Sequence, residues 1–297
     1  MDKPLLTIVI PVYNRRAIVG RTLDSIRAQT CRDFRLILVD NGSTDGTPDE
    51  LRRRAAAMPV ETLVLEEGRS GAAAARQCGL DAVGTEWTMF FDSDDTMEPR
   101  HVERALEAVR RHPDVEVVGW DVNRHCGGRS FRYVFTTCDV MYRSLFNGIM
   151  GTQRYFARTE IFRRAGGWNP SLGVWDDIEL GARIIALRPK ILKLCGPVTV
   201  DMYDQPDSLT RGESLSNLPA IERALSSISA TIGPKGPLWT GLKLIILAAL
   251  ADTDEARALR DSTAAHMPKR YRLLMRAAYA YTARGGRGIA RILRPLL

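Results

Sequence analysis

The first 120 residues alternate short apolar strands with helical segments, and this alternation constrains the fold more than any other feature. Apolar, strand-like runs occupy residues 5–12, 34–39, 60–65, 86–91 and 115–120. Strands that alternate with helices favour a mostly parallel sheet with helices on both faces. We therefore predict an α/β fold in which ligands bind at the carboxyl ends of the strands.

Acidic residues directly follow two of these strands. Asp40 follows the second strand, and the apolar run 87–91 ends in Asp92, Asp94 and Asp95. Carboxylates crowded at a strand end repel one another unless a cation lies between them. Mg2+ and Mn2+ take oxygen ligands and commonly bridge carboxylates to substrate phosphates. The pattern predicts a divalent-metal site, with a helix-capping acidic turn as the alternative.

The composition indicates a reducing compartment and no targeting segment. The five cysteines are widely spaced and include no Cys-x-x-Cys, so neither a zinc site nor a disulfide framework is predicted. No secretory signal is visible at the N-terminus. The longest nearly apolar run, 238–251, is too short to span a bilayer. We predict a cytoplasmic protein that is soluble or peripheral.

The net charge of +7 is concentrated at the C-terminal end. Residues 215–297 contain 13 Lys/Arg and five Asp/Glu, and residues 269–297 contain eight basic residues and no acid. No helix-turn-helix, zinc or aromatic-platform motif accompanies this charge, so nucleic acid is not a predicted partner.

Apolar residues in this basic segment recur on one side of a predicted helix. They are Ile289, Ile292, Leu293, Leu296 and Leu297. An apolar stripe opposite arginines is typical of a helix that lies on anionic lipid. The alternative is that the stripe packs against the protein's own helices. We therefore expect either that residues 269–297 bind an anionic membrane surface or that the apolar stripe packs within the protein.

Two enzyme classes use an apolar strand that ends in Asp-x-Asp. In phosphatases of the haloacid dehalogenase type, Asp92 would be the nucleophile and Asp94 the second acid. That motif usually follows the first strand of the domain, whereas three strands precede the strand that carries it here. These phosphatases also need a further acidic pair for the metal, and only Asp176-Asp177 supports this requirement. In sugar transfer from a nucleotide diphosphate, a metal neutralises the leaving group and a separate carboxylate deprotonates the acceptor.

Four motifs favour the second class. The chain resembles, in the order and spacing of these motifs, the inverting family 2 glycosyltransferases with the GT-A fold. The motifs are IVIPVYN at 8–14, VDNGSTDGT at 39–47, FDSDD at 91–95, and GGWN at 166–169 followed by WDDIEL at 175–180. The resemblance covers residues 5 to about 211. It implies a Rossmann-like, mostly parallel sheet flanked by helices.

The resemblance implies a donor site built from several loops. Its residues are Pro11, Val12 and Tyr13 beneath the base, Asp40 hydrogen-bonded to the base, Arg76 near the donor, Asp92 near the ribose, and Ser93 as a further donor-binding residue. Gln77 replaces the family's usual Asn after Arg76. Two of these residues have simpler interpretations, because Tyr13 could lie in the core and Asp40 could only close an Asx-turn.

The resemblance also assigns the metal and the base. Asp94 would contact the metal directly, Asp92 would contact it or assist through water, and Asp177 would be the general base. Asp176, Glu179 and Gln205 would lie around these groups, with Gln205 near the position of a family histidine. The acids at 176–179 could also simply form the first turn of a helix. That helix dipole would lower the pKa of Asp177, so burial or neighbouring carboxylates would have to raise it.

We predict a GT-A domain at 1–214, with a nucleotide-binding half at 1–120 and an acceptor and base half at 121–214, followed by a helical basic extension at 215–297. The predicted activity is metal-dependent transfer of a hexose, with inversion, from a UDP-sugar to a saccharide or lipid-linked saccharide. The cofactor would be Mn2+ or Mg2+, and the pathway bacterial polysaccharide or glycolipid synthesis at the inner face of the membrane. The alternatives are the phosphatase and a non-catalytic sugar-nucleotide-binding protein.

Overall fold

The structure is a computed structural model that describes residues 4–204, 218–251 and 253–294. Gln205 lies outside the described residues. The strands are β1 (Leu6–Val12), β2 (Phe34–Asp40), β3 (Thr62–Glu66), β4 (Trp87–Phe90), β5 (Thr96–Met97), β6 (Val117–Trp120), β7 (Val122–Cys126), β8 (Arg129–Tyr133), β9 (Tyr155–Arg158), β10 (Ile191–Leu194) and β11 (Val200–Tyr203).

Helices follow most of the strands and also form the C-terminal region. They are α1 (Val19–Arg27), α2 (Thr47–Ala56), α3 (Ala72–Asp81), α4 (His101–Arg111), α5 (Val140–Asn147), α6 (Thr159–Arg164), α7 (Asp176–Ala186), α8 (Leu218–Ile232), α9 (Gly236–Ala251), α10 (Asp254–His266), α11 (Lys269–Ala283) and α12 (Ile289–Leu293).

Seven strands form the main sheet, in the order β10-β6-β9-β4-β1-β2-β3. Every neighbouring pair is parallel except those that involve β9, which runs antiparallel to β4 and β6. The predicted mostly parallel sheet is therefore confirmed. Because β1, β2 and β4 run side by side in the same direction, their carboxyl ends meet at one edge.

Both faces of the main sheet are buried, because successive side chains of a strand point to opposite faces. Ile8 packs in a core cluster with Leu23 of α1, whereas Val9 packs in a second cluster on the α3 side. Gly79 lets α3 approach β1 closely, since a Cβ there would lie 2.3 Å from Cγ1 of Val9. This close packing fixes α3, which carries Arg76, against the centre of the sheet.

A second sheet borders the carboxyl edge of the first, in the order β5-β11-β7-β8. Strand β5 begins directly after Asp95, so the acidic cluster lies where the chain passes from one sheet to the other. The β7–β8 hairpin at 122–133 ends this sheet, and all residues of β8 are exposed.

The C-terminal helices form their own core and also pack against the α/β region. Leu242 and Ile245 of α9 lie in a cluster with Met275 of α11, while Ile221 of α8 packs with Ala182 of α7. Among the helices that the structure describes, none is both long and apolar enough to cross a membrane.

The apolar stripe of the basic tail is divided by the fold. Ile289 and Leu293 are buried in the cluster of α9 and α11, whereas Ile292 is 60% exposed. Leu296 and Leu297 lie outside the described residues. The expectation that this stripe faces lipid is therefore wrong for Ile289 and Leu293. These two side chains find their apolar environment within the protein.

Candidate active site

The first two strands end in loops that are tied together. Val12 of β1 is paired with Asp40 of β2. Beyond Val12, the backbone N–H of Asn14 donates to Oγ of Ser43 over 2.9 Å, and Oδ1 of Asn14 accepts from the backbone N–H of Thr44 over 2.8 Å. These bonds join the loop that contains Pro11, Val12 and Tyr13 to the loop after Asp40.

Tyr13 does not lie in the core. Its side chain is 57% exposed at the carboxyl edge of the sheet, which excludes the interpretation that Tyr13 is a core residue. An exposed phenol ring at this edge is available for stacking against a planar ligand.

The two oxygens of Asp40 have different environments. Oδ2 accepts from the backbone N–H groups of Gly42 and Ser43 over 3.2 and 3.1 Å, which closes the expected Asx-turn. Oδ1 is buried and has no hydrogen-bond partner among the described residues. A buried acceptor without a partner is costly, and a ligand N–H would satisfy it. The turn and a ligand contact are thus compatible.

The carboxylates of Asp92, Asp94 and Asp95 converge after β4. Each offers an oxygen within 4.8 Å of the others. Burial, with a contribution from the charge of Asp92, raises the pKa of Asp94 to about 6. Burial and the two neighbouring acids raise the pKa of Asp95 well above its usual value. Clustered oxygen donors, of which Asp94 and Asp95 have raised pKa values, are suited to a hard divalent cation, whose charge would keep these two ionised.

The three acids differ in how far their side chains are already engaged. Asp95 is buried, and its Oδ1 accepts from the backbone N–H of Tyr203 over 2.8 Å, which attaches β11 to the site. Asp92 accepts hydrogen bonds at both carboxylate oxygens, from Arg76 and Gln153. Asp94 is therefore the acid best placed to give its carboxylate to a metal.

Gln153 is a site residue that the sequence interpretation missed. It lies in a short 3-10 turn, Thr152–Arg154, directly before β9. Its amide donates to Asp92 and bonds to Asp95, while its backbone carbonyl accepts from Nε1 of Trp120 over 2.9 Å. Gln153 therefore fixes the spacing of two acids. A lone glutamine in the irregular region after residue 120 carries no motif that could have identified it.

Arg76 joins the donor-side acids to the helix that carries the predicted base. Its Nη2 lies 2.8 Å from Oδ1 of Asp92, and its Nη1 lies 2.6 Å from Oδ2 of Asp176. The guanidinium carbon also lies 4.8 Å from the ring centre of Trp168. Burial acts to lower the pKa of Arg76, but the charges of Asp176 and Asp92 outweigh burial and raise it.

Gln77, which departs from the family's usual Asn, anchors the Gly-Gly-Trp motif. Its Oε1 accepts from the backbone N–H of Trp168 over 2.7 Å. Gly167 has a φ of +68°, and a Cβ there would lie 2.3 Å from the same Oε1. The motif therefore needs a glycine both for its backbone conformation and for the close approach of Gln77.

Asp177 lies in the first turn of α7, close to the carboxylate of Asp176. The helix begins at Asp176, after Trp175 at a φ of +61°. Oδ1 of Asp177 accepts from the backbone N–H of Ile178 over 2.7 Å. Burial, followed by the charge of Asp176, raises the pKa of Asp177 to about 7 and outweighs the opposing effect of Arg76. A carboxylate with this pKa can accept a proton near neutral pH.

Glu179 bonds to residues other than the acids of the site. It is buried, its carboxylate lies 2.6 Å from Nη2 of Arg183, and it accepts from Oγ of Ser227 over 2.7 Å. Glu179 therefore connects α7 to α8. A second contact from the C-terminal helices reaches the same region, because Nζ of Lys243 lies 5.1 Å from the ring centre of Trp175.

Sequence comparison identifies the relatives of the chain. The profile described as "Glycosyl transferase family 2" matches residues 7–165. An "Uncharacterized glycosyltransferase" of Haemophilus influenzae is 27% identical over 186 residues, which are 61% of this chain and 62% of that protein. The chain thus spans less than two thirds of this relative. A "PGL/p-HBAD biosynthesis glycosyltransferase" of Mycobacterium bovis is 28% identical over 228 residues, which are 75% of this chain and 87% of that protein.

Solved structures share the fold. TarS of S. aureus in complex with UDP-GlcNAc superposes with a TM-score of 0.58 at 15% identity, covering 98% of this chain and 92% of that one. The mannosyltransferase PcManGT of Pyrobaculum calidifontis, in complex with GDP-Man and Mn2+, gives a TM-score of 0.55 at 22% identity and covers 99% and 87%. The predicted GT-A fold is confirmed.

Proposed function

Because the chain belongs to glycosyl transferase family 2, we propose that it transfers a hexose from a UDP-sugar to an acceptor hydroxyl with inversion at the anomeric carbon. The main support for this proposal is the position of Arg76. It lies 2.8 Å from Asp92 on the donor side and 2.6 Å from Asp176 beside the proposed base. This bridge supports the proposal that the donor-side acids and the base act within one site. Membership of this family also removes the phosphatase alternative.

The proposed donor site lies at the carboxyl ends of β1 and β2. Oδ1 of Asp40 would accept from the base, the ring of Tyr13 would lie against it, and the backbone of Pro11 and Val12 would line the loop. The unpaired Oδ1 and the exposed ring support these roles. Ser93, which follows Asp92, is a further proposed donor-binding residue. The complexes of TarS with UDP-GlcNAc and of PcManGT with GDP-Man support a nucleotide-sugar donor.

Asp177 is the proposed base. It would take the proton of the acceptor hydroxyl while the hydroxyl oxygen forms its bond to the anomeric carbon. The bond from that carbon to the diphosphate breaks on the opposite face, and the electron pair leaves with the UDP. Asp94, with Asp92, would hold Mn2+ or Mg2+, which neutralises charge on the leaving diphosphate when bound. Arg76 keeps Asp92 in place.

The proposed acceptor is a saccharide or a lipid-linked saccharide of a bacterial polysaccharide or glycolipid, reached at the inner face of the membrane. The Mycobacterium bovis relative, which is named for PGL/p-HBAD biosynthesis, supports an acceptor of this class.

Donor and metal binding can be tested together by thermal unfolding. We expect UDP-sugars to raise Tm in the presence of Mn2+. At a ligand concentration of 100 times Kd, binding should add about 2.7 kcal/mol to the free energy of unfolding. Asp94→Asn should lose the Mn2+-dependent part of the shift, because it removes the proposed ligand charge. The exposed Asp114→Asn is the matched control. An equal shift without Mn2+, or in Asp94→Asn, would contradict the metal assignment.

Measuring UDP release with candidate saccharide acceptors distinguishes a transferase from a non-catalytic sugar-nucleotide-binding protein. A protein that only binds sugar nucleotides would show the thermal shift and release no UDP in the presence of any acceptor. Acceptor-dependent release of UDP supports the transferase.

The pH dependence of transfer tests the base. We expect kcat to rise with pH and to level off above about 7, because the raised pKa of Asp177 keeps it protonated below that value. The charged and titratable groups around it are Asp176, Arg76, Asp92 and Tyr155. Asp176→Asn should move the inflection to lower pH, because it removes a negative neighbour. A kcat that stays constant across neutral pH would argue against Asp177.

A further inference from the structure

Helices α11 and α12 leave an exposed surface on the side opposite their buried residues. Helix α11 buries Met275, Ala278 and Thr282 against the protein. On the outside, Leu273 is 76% exposed and Tyr281 is 41% exposed. Ile292 of α12, at 60% exposed, adds a third apolar side chain. We call the exposed side chains of residues 269–294 the α11–α12 surface.

This surface carries charge of one sign. Its basic residues, all exposed, are Lys269, Arg270, Arg272, Arg276, Arg284, Arg287, Arg291 and Arg294. The segment contains no Asp or Glu. Arg294 pairs with Asp139, and Arg272 donates to the backbone carbonyls of Ala265 and Met267. The other six form no ion pair with the residues that the structure describes, so most of the positive charge is available to a partner.

The combination of basic and apolar side chains limits what this partner can be. A nucleic acid would neutralise the arginines but would leave Leu273 and Ile292 in water. An anionic bilayer satisfies both, since each Lys or Arg near its surface contributes about 1 kcal/mol and apolar side chains enter the headgroup region. We propose that the α11–α12 surface binds the protein to an anionic lipid bilayer, with Leu273 and Ile292 inserted.

This surface lies in the basic segment expected from the sequence, 269–297, and keeps Ile292, but its other apolar residues differ from the expected stripe. Ile289 and Leu293 of the original stripe belong to the protein's core, and the lipid-facing residues are those that the core leaves outside. The inference goes beyond the proposed sugar transfer, because none of the active-site residues takes part in it. It is compatible with a lipid-linked acceptor but does not require one.

Co-sedimentation of the full chain with vesicles tests the proposal. The vesicles contain phosphatidylcholine alone or a mixture with phosphatidylglycerol. We expect binding only to the mixture, and expect Arg270→Gln/Arg284→Gln/Arg287→Gln to weaken it about 100-fold, from about 1 kcal/mol for each charge. Leu273→Ser/Ile292→Ser should also weaken binding. Leu250→Ser is the matched control, because Leu250 is 57% exposed on α9, outside the surface.

Three results would overturn the proposal: no binding of the wild-type chain to phosphatidylglycerol vesicles, an equal loss in Leu250→Ser, or wild-type binding by Leu273→Ser/Ile292→Ser. Tighter binding to a DNA or RNA duplex than to vesicles would assign the surface to nucleic acid instead. The UDP-sugar thermal shift, measured on the same variants, shows whether each remains folded with an intact donor site. Loss of membrane binding is thereby separated from failure of the proposed function.

Discussion

Replacing Asp177 by Asn is expected to lower kcat for sugar transfer by about 10²- to 10⁴-fold, the usual contribution of a general base. Asparagine keeps the shape of the side chain but cannot take the proton of the acceptor hydroxyl. Donor affinity should remain close to that of the wild type, because the proposed donor contacts lie on other loops. UDP release and calorimetric titration with the UDP-sugar measure the two quantities separately.

Asp114→Asn serves as the control for this experiment, because it makes the same chemical change at an exposed carboxylate paired with Lys190. It should leave both quantities unchanged. If Asp177→Asn retained nearly full kcat, another group would have to be the base. A parallel loss of donor affinity would indicate damage to the site rather than loss of a base.

The substitution Asp177→Asn is also expected to change the stability of the protein. The pKa of Asp177 is about 7 in the folded protein and 3.8 as the ordinary value. A raised pKa means that folding favours the protonated form, so this group's contribution to stability is lost as pH rises between these values. Asparagine cannot ionise. The stability of Asp177→Asn relative to the wild type should therefore increase from acidic to neutral pH.

Arg76→Met is expected to reduce the free energy of unfolding by about 3–5 kcal/mol, the usual effect of removing one partner of a buried ion pair. The substitution leaves Asp92 and Asp176 without their shared cation. Chemical denaturation at neutral pH measures the change, and donor binding should be lost as well. A loss below about 1 kcal/mol would place the pair among ordinary surface ion pairs.

Two further variants control this result. Arg76→Lys keeps the charge but cannot reach both carboxylates with a planar fork, so it should recover only part of the stability. Asp176→Asn should lower the free energy of unfolding less in the Arg76→Met variant than in the wild type, because the ion pair is already broken. The difference between these two decreases is the coupling energy of Arg76 and Asp176. Equal decreases would show that the two residues act independently.

The sequence predicted the fold well because the relevant signals are local. Buried strands and intervening helices can be recognised one segment at a time, and parallel strands bring their carboxyl ends together automatically. This is why Asp40 and Asp92 could be assigned to one edge of the sheet. The raised pKa of Asp177 also follows the stated requirement for burial and a neighbouring acid.

Contacts between distant segments could not be predicted. Gln153 reaches the acids from a turn without a motif, and Gln77 gains its partner Trp168 only through packing. The amphipathic tail shows a different ambiguity. An apolar stripe is equally satisfied by lipid or by a neighbouring helix, so the pattern alone could not show that Ile289 and Leu293 are buried in the protein.

The contacts of α7 with the C-terminal helices have a consequence for building chimeras from related chains. Ser227 bonds Glu179 two residues after the proposed base, and Lys243 lies over the ring of Trp175 two residues before it. A C-terminal region transplanted from a relative would meet a foreign α7 at both points. Functional hybrids should therefore require that α7, α8 and α9 come from the same parent, even though the family profile ends at residue 165.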